Sequence, residues 1–128
     1  MASVQVDAVS VVGRFNDCIN ARDLDGLAGL MHIDHKFIDS AGSVVAGKQA
    51  CLEAWQGFFA SFPDYRNVIK SMTPHGDEVT MVGYSACAEP ALAGPAIWTA
   101  MIRDGQVAQW RVDEDTPTVR AQLGLRAE

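Results

Sequence analysis

At 128 residues the chain has the length of one domain, and 48% hydrophobic against 20% charged residues is the composition of a chain that folds, not one that stays disordered. Ten Lys and Arg against sixteen Asp and Glu give a net charge of −6, without the basic footprint that nucleic acid or an anionic membrane needs. The longest apolar stretch, Pro90 to Ile102, is broken by Gly94 and Pro95 and is too short to span a bilayer.

The first residues lack a basic region followed by an apolar run, so no secretory leader is expected and the chain reads as cytoplasmic. Cys18, Cys51 and Cys87 are odd in number and far apart, which fits a reducing compartment and gives neither a disulfide framework nor a CxxC site.

Val4, Ala8, Val11, Val12, Phe15, Cys18 and Ile19 fall at three- and four-residue steps and predict a first helix, broken at Asn20-Ala21-Arg22. Asp23 is a plausible N-cap for a short second helix carrying Leu24, Leu27, Leu30 and Met31, weakened by Gly26 and Gly29. The period then changes. Phe37 and Asp39 alternate with Lys36 and Ile38, Ala41-Gly42-Ser43 makes a turn, and Val44-Val45 returns as a short strand ended by Gly47.

Leu52, Trp55, Phe59 and Phe62 predict a third helix, stopped by Pro63. Such an aromatic stripe is more often core than a cofactor box. Strands are then expected over 65–73, 78–88, 96–103 and 106–113, with turns at Pro74–Asp77 and Asp104-Gly105 and a loop from Glu89 to Gly94. Thr116-Pro117 reads as an N-cap and first residue of a tail helix that Gly124 would end.

Ile97 to Ile102 is apolar on both faces, and a second subunit is the simplest cover for the outer one. The fold class is therefore α+β, with three helices of the N-terminal half on one face of a curved, mostly antiparallel sheet. A bent sheet closed by helices leaves a concave interior suited to a small ligand.

This order of elements resembles the nuclear-transport-factor-2-like superfamily, in its SnoaL-like and ketosteroid-isomerase-like branch. The resemblance covers nearly the whole chain. It rests on Val11-Val12-Gly13-Arg14-Phe15, on Asn20-Ala21-Arg22-Asp23-Leu24-Asp25-Gly26-Leu27, on Phe37-Ile38-Asp39-Ser40-Ala41-Gly42-Ser43 and on Trp110-Arg111-Val112-Asp113-Glu114-Asp115-Thr116-Pro117. It implies a cone-shaped half-barrel with an apolar pocket, and a homodimer formed through the outer face of the sheet.

Asp39 is the sharpest candidate for chemistry. It follows the apolar Phe37 on one strand face, and by the resemblance it matches the general base of ketosteroid isomerase. The plainer alternative is a turn aspartate bonded to its own backbone near Ala41-Gly42. The rest of that isomerase site is missing. Its oxyanion hole takes a tyrosine and a protonated aspartate, and the corresponding positions here are Phe15 and about Thr99. A phenyl ring donates no hydrogen bond, so steroid isomerisation by that route is not expected.

Aligned with the isomerase, Trp110, Val112 and Glu114 face the pocket while Arg111 and Asp113 face away. Glu114 would be a second acid or base at the mouth, or else a solvated strand-end residue or a helix-capping partner; Asp113 and Asp115 would be exposed or paired with Arg111, within the chain or across a dimer interface. The pocket is expected to be lined by Phe15, Phe37, Trp55 and Phe59 from the first half of the chain. The strands would add Tyr84, Thr99, Met101, Trp110 and Val112, with Tyr84 as either a pocket donor or a core residue.

Epoxide hydrolysis in this fold uses an Arg between two aspartates. Arg103-Asp104 is a turn here and Arg111-Val112-Asp113 faces outward, so hydrolysis is the weaker expectation. His32 and His35 fall in the expected helix-to-strand connection without a third ligand, and no metal site is expected. His35 could instead share the pocket rim with Phe37 and Asp39 as a proton shuttle, or lie on the surface.

Three functional readings follow. The first is cofactor-free proton transfer (isomerisation, cyclisation or dehydration) on a small apolar carbonyl compound. The second is a binding protein that encloses such a molecule without turning it over. The third is a dimerisation module whose cone is filled by Phe15, Trp55 and Trp110.

Overall fold

The computed structural model describes residues 7–125. Val4, assigned above to the first helix, lies outside them. Helix α1 (Ala8–Ala21) starts at Asp7, whose carboxylate accepts from the Val9 amide. It stops because Arg22 turns left-handed at φ 56°. Asp23 then caps α2 (Leu24–Leu30) by accepting from the Gly26 amide at 2.9 Å.

The second helix is one residue shorter than its pattern suggests. Met31 opens strand β1 (Met31–Ile38), and the segment from His32 to His35, read above as a connection, is strand. A parallel partner, strand β6, supplies the ladder that makes extended backbone worth adopting there.

β1 turns back into β2 (Val44–Ala46), and Gly47 leads into α3 (Lys48–Ser61). Strand β3 (Arg66–His75) passes straight through Pro74, two residues beyond its expected end. The sheet order β2-β1-β6-β5-β4-β3 explains why: β3 is an edge strand, where a missing N–H costs least.

Strands β4 (Glu78–Ala86) and β5 (Gly94–Arg103) follow, joined through a short 3₁₀ turn at Pro90–Leu92. β6 (Gln106–Glu114) is reached through Asp104 and Gly105, both left-handed, the two-residue hairpin turn that Asp-Gly predicts. The Thr116 hydroxyl caps α4 (Pro117–Gln122), and Gly124 ends it at φ 70°. Among the described strands only β1 and β6 pair in parallel, so the sheet is mixed and open.

The core lies between the inner sheet face and the helices. Val11, Phe15 and Ile19 of α1 and Cys51, Trp55 and Phe59 of α3 meet Met81, Trp98, Ala100 and Trp110. Ile97, also fully buried, stands outside this cluster on the opposite sheet face, beside buried Thr99. The chain is therefore apolar on both sides of β5, as its composition suggests.

Candidate functional site

A cavity of about 400 Å³ opens where α3, the inner faces of β1, β5 and β6, and the Ala91–Pro95 segment converge. Its walls are mainly aromatic and aliphatic: Phe37, Val45, Trp55, Phe58, Trp98, Trp110 and Val112. Trp55 is locked in place by Phe59, stacked at 5.5 Å between centroids, and by the edge contacts of Phe37 and Phe58. Trp110 rests on Phe15 at 4.8 Å.

Six residues expected at the pocket line it: Phe37, Asp39, Trp55, Trp110, Val112 and Glu114. Five do not. Phe15 and Phe59 are buried a layer deeper and support the walls instead of forming them. Tyr84, Thr99 and Met101 sit on the opposite face of the sheet. Thr99 pairs across from Arg111, and Tyr84 is 39% exposed with the Lys70 ammonium 5.5 Å from its ring centre.

One irregularity moves this set of three. A regular hairpin closed at Arg103 and Gln106 would set Thr99 against Trp110. A bulge after the Ile102–Val107 pair inserts Ala108, so Met101 meets Gln109 and Thr99 meets Arg111. Every later position on β5 changes face relative to Trp110, and β4 follows β5.

Asp39 is bonded as a turn aspartate and also stands at the cavity. Its Oδ1 accepts from the amides of Ala41 and Ser43, each at 2.9 Å, which is the bonding of a turn aspartate. It also borders the cavity, and among the described residues Oδ2 has no hydrogen-bond partner. The turn thus fixes the carboxylate while leaving one oxygen uncommitted.

Glu114 lies at the exposed end of β6 and also borders the cavity. Asp113 is buried and paired with Arg111 at 3.0 Å within the chain. Asp115 bonds Arg120 at 2.6 Å, not Arg111, and this guanidinium holds its carboxyl below the usual range.

His35 is neither at the rim nor on the surface. It is fully buried against Phe15, with Nδ1 2.6 Å from the Val107 carbonyl oxygen and Nε2 without a partner among the described residues. Burial pushes its pKa down, against the opposing pull of that carbonyl. His32 instead meets Asp104 at 3.4 Å, and no cluster able to hold a metal ion occurs among the described residues. Cys51 touches the cavity, but burial pushes its thiol pKa up and the thiol donates to the Val45 carbonyl at 3.3 Å, both of which disfavour the thiolate.

The sequence reading missed the polar side of the cavity, which is formed by Tyr65, Asn67 and Ser85. Tyr65 Oη and Ser85 Oγ are 3.0 Å apart, and Ser85 Oγ lies 3.3 Å from Asn67 Oδ1. α1 fixes this corner. The Asn20 side chain accepts from the Asn67 amide at 2.8 Å and donates to its carbonyl at 2.9 Å. The Arg22 guanidinium bonds the carbonyls of Asn20, Pro63 and Tyr65. A signal was available: Tyr65 and Asn67, two apart in a segment read as strand, place their polar atoms on one face.

The family model of the SnoaL-like domain matches residues 12–110, most of the chain. The chain is a SnoaL-like domain. Solved structures agree on the fold. A candidate polyketide cyclase from Sinorhizobium meliloti superposes with a TM-score of 0.74 at 19% identity, over 84% of this chain and 99% of that one. IdmH, a candidate polyketide cyclase from Streptomyces antibioticus, gives 0.69 at 20%, over 93% and 99%. An epoxide hydrolase of the LEH-like type from M. tuberculosis gives 0.74 at 16%, over 84% and 82%. No curated protein sequence matches the chain. Identities this low carry the cone-shaped fold from these neighbours and not their chemistry. No described helix of the SnoaL-like chain is long and apolar enough to cross a membrane.

Proposed function

We propose that this SnoaL-like domain takes a small, largely apolar carbonyl compound into the cavity, and that Asp39 moves a proton on the carbon beside the carbonyl without a cofactor. The observation that carries the reading is Asp39 itself, a carboxylate fixed by its turn at the edge of an aromatic cavity with Oδ2 uncommitted. The cavity has the size of small-ligand sites, roughly 300–1,000 Å³. Glu114 is the second group that could return the proton.

The test is exchange of the α-protons of 1-tetralone in D₂O, followed by NMR. Exchange above the buffer rate is expected with the natural chain. Asp39→Asn keeps an oxygen for the turn amides and is expected to slow the enzyme-dependent exchange at least ~100-fold. Quenching of tryptophan fluorescence reports binding separately. Binding without exchange would favour a second reading, a binding module, for which the ordinary turn bonding of Asp39 speaks. Absence of binding would remove both readings. The open cavity weighs against the filled dimerisation module.

The proposal includes a homodimer formed through the outer sheet face, where Tyr84 stands exposed above buried Ile97 and Thr99. Sedimentation velocity is expected to give twice the chain mass, and Tyr84→Glu to shift the population to monomer. A natural chain that sediments as a monomer at high concentration would sink this part.

A further inference from the structure

We infer that Tyr65, Ser85 and Asn67 form the oxygen-recognising end of the cavity: a reversible hydrogen-bond relay whose Tyr65 hydroxyl donates to the ligand's carbonyl oxygen. The inference rests on the proposal that the cavity takes a carbonyl compound, and it names the residue that would recognise that group.

The three side chains border the same cavity and are each more than nine-tenths buried. Counting protons fixes how they can be arranged. Ser85 has one proton. While it donates to Asn67 Oδ1, the proton between Tyr65 and Ser85 must come from Tyr65. Tyr65 then has nothing to offer a ligand carbonyl. Asn67 Nδ2, buried and without an acceptor among the described residues, is left unsatisfied. An orphaned buried donor is costly, so this arrangement is not strongly favoured over its reverse.

A half-turn of the Asn67 amide reverses the chain. Nδ2 donates to Ser85 Oγ, Ser85 donates to Tyr65 Oη, and the Tyr65 proton becomes free for the ligand. The orphaned donor is satisfied in the same motion while Oδ1 takes its place, so each direction of the chain leaves one Asn67 atom unpartnered and a ligand can tip the choice between them. The backbone need not move, because Asn20 clamps both the amide and the carbonyl of Asn67 and Arg22 clamps the carbonyl of Tyr65. Burial pushes the Tyr65 phenol pKa up, so the group keeps its proton and acts as a donor.

The reversibility has a chemical use. When Asp39 removes an α-proton, the C–H electron pair moves into a carbon–carbon double bond and the carbonyl oxygen takes up negative charge. A donor at that oxygen stabilises the charge. If the oxygen is then protonated to an enol, the relay in its original direction accepts from the new hydroxyl. The same three side chains can follow an oxygen that changes from acceptor to donor.

The test compares 1-tetralone with tetralin, which has the same ring skeleton without the oxygen. Tyr65→Phe is expected to weaken the ketone about tenfold, the loss of one buried hydrogen bond, and to leave tetralin unchanged. Ser85→Ala is expected to retain ketone binding, because it frees the Tyr65 proton instead of removing it. Equal losses for both ligands in Tyr65→Phe, or none for the ketone, overturn the relay.

Infrared spectroscopy of ¹³C-carbonyl tetralone on the natural chain needs no variant. A carbonyl stretch shifted to lower frequency is expected, and an unshifted one overturns the inference even where the ketone binds. If tetralin and the ketone both fail to bind the natural chain, the cavity proposal falls and the relay with it.

Discussion

Gly83→Ala is expected to cost about 3 kcal/mol, the upper end for overpacking a core. A Cβ at Gly83 would stand 1.9 Å from the Val68 carbonyl oxygen, 2.9 Å from its carbon and 3.1 Å from Ile69 Cα. All three atoms are backbone of β3, so no side chain can rotate out of the way. Gly83 does not need a left-handed conformation; it needs the space. β3 crowds β4 here because the pairing slips between Ile69 and Ser71, where a bulge bends the edge strand inward.

The same displacement would reach the site. Val68 adjoins Asn67, and Gly83 lies two residues from Ser85, its companion on the inner face of β4. Urea unfolding should show a lower midpoint at unchanged slope, which marks lost stability and not a changed unfolded state. Ketone binding should weaken in parallel. A loss below about 1 kcal/mol would mean that the edge strand moves aside freely.

What the sequence revealed and what it hid divide along the reach of each signal. Local chemistry was legible. Asp23 and Thr116 cap their helices, Asp104-Gly105 makes its tight turn, and the stripe from Trp55 to Phe59 faces inward. Each depends on a few neighbouring residues and on rules of backbone geometry that operate within one turn or helix. The turn bonding of Asp39 was legible too, since the turn runs only from Asp39 to Ser43.

The strand faces were lost at one residue. Ala108 carries no mark that it is the extra residue of a bulge, yet it sends Thr99, Met101 and Tyr84 to the side opposite Trp110. Strand periodicity is two, so a single insertion inverts every later assignment. The Tyr65–Ser85–Asn67 corner was hidden for another reason. Asn67 and Ser85 stand on two strands and Tyr65 just before the first of them, all held by Asn20 and Arg22 of the first helix and the turn after it, a juxtaposition that only the assembled fold provides. His35 shows the same limit in reverse: its alternation with Phe37 and Asp39 is correct, but how deeply α1 covers that face is not written in the strand.

His35 should make the chain acid-sensitive well above the carboxylate range. Its folded pKa is lowered from 6.5, chiefly by burial, so the native state prefers neutral imidazole. Above 6.5 both folded and unfolded chains carry it neutral, and it adds no pH dependence. Below 6.5 the unfolded chain takes up a proton that the native chain refuses. Stability then falls by up to about 1.4 kcal/mol per pH unit until the lower folded value is reached.

Asp115, paired with Arg120, works in a different window. Its folded pKa is lowered from 3.8, so its contribution is fully present above that value and is lost only as pH falls through the lower folded one. The two effects therefore separate on the pH axis. Urea midpoints should be measured from pH 7.5 to 4.5 for the natural chain and for His35→Gln, which is neutral throughout and can still donate to the Val107 carbonyl.

The difference curve should be flat above pH 6.5 and fall below it; His32 and His75 are present in both chains and cancel. A flat difference down to pH 5 would mean that the folded core accepts the proton, with a partner for Nε2 that the buried site now lacks. The consequence for function follows from position. The His35 carbonyl accepts from the Gly47 amide at 2.8 Å, and β1 runs from His35 through Phe37 toward Asp39. Acid that opens the core at His35 loosens the strand that carries the candidate base, so the proposed exchange of 1-tetralone protons should decline together with the fold over this range.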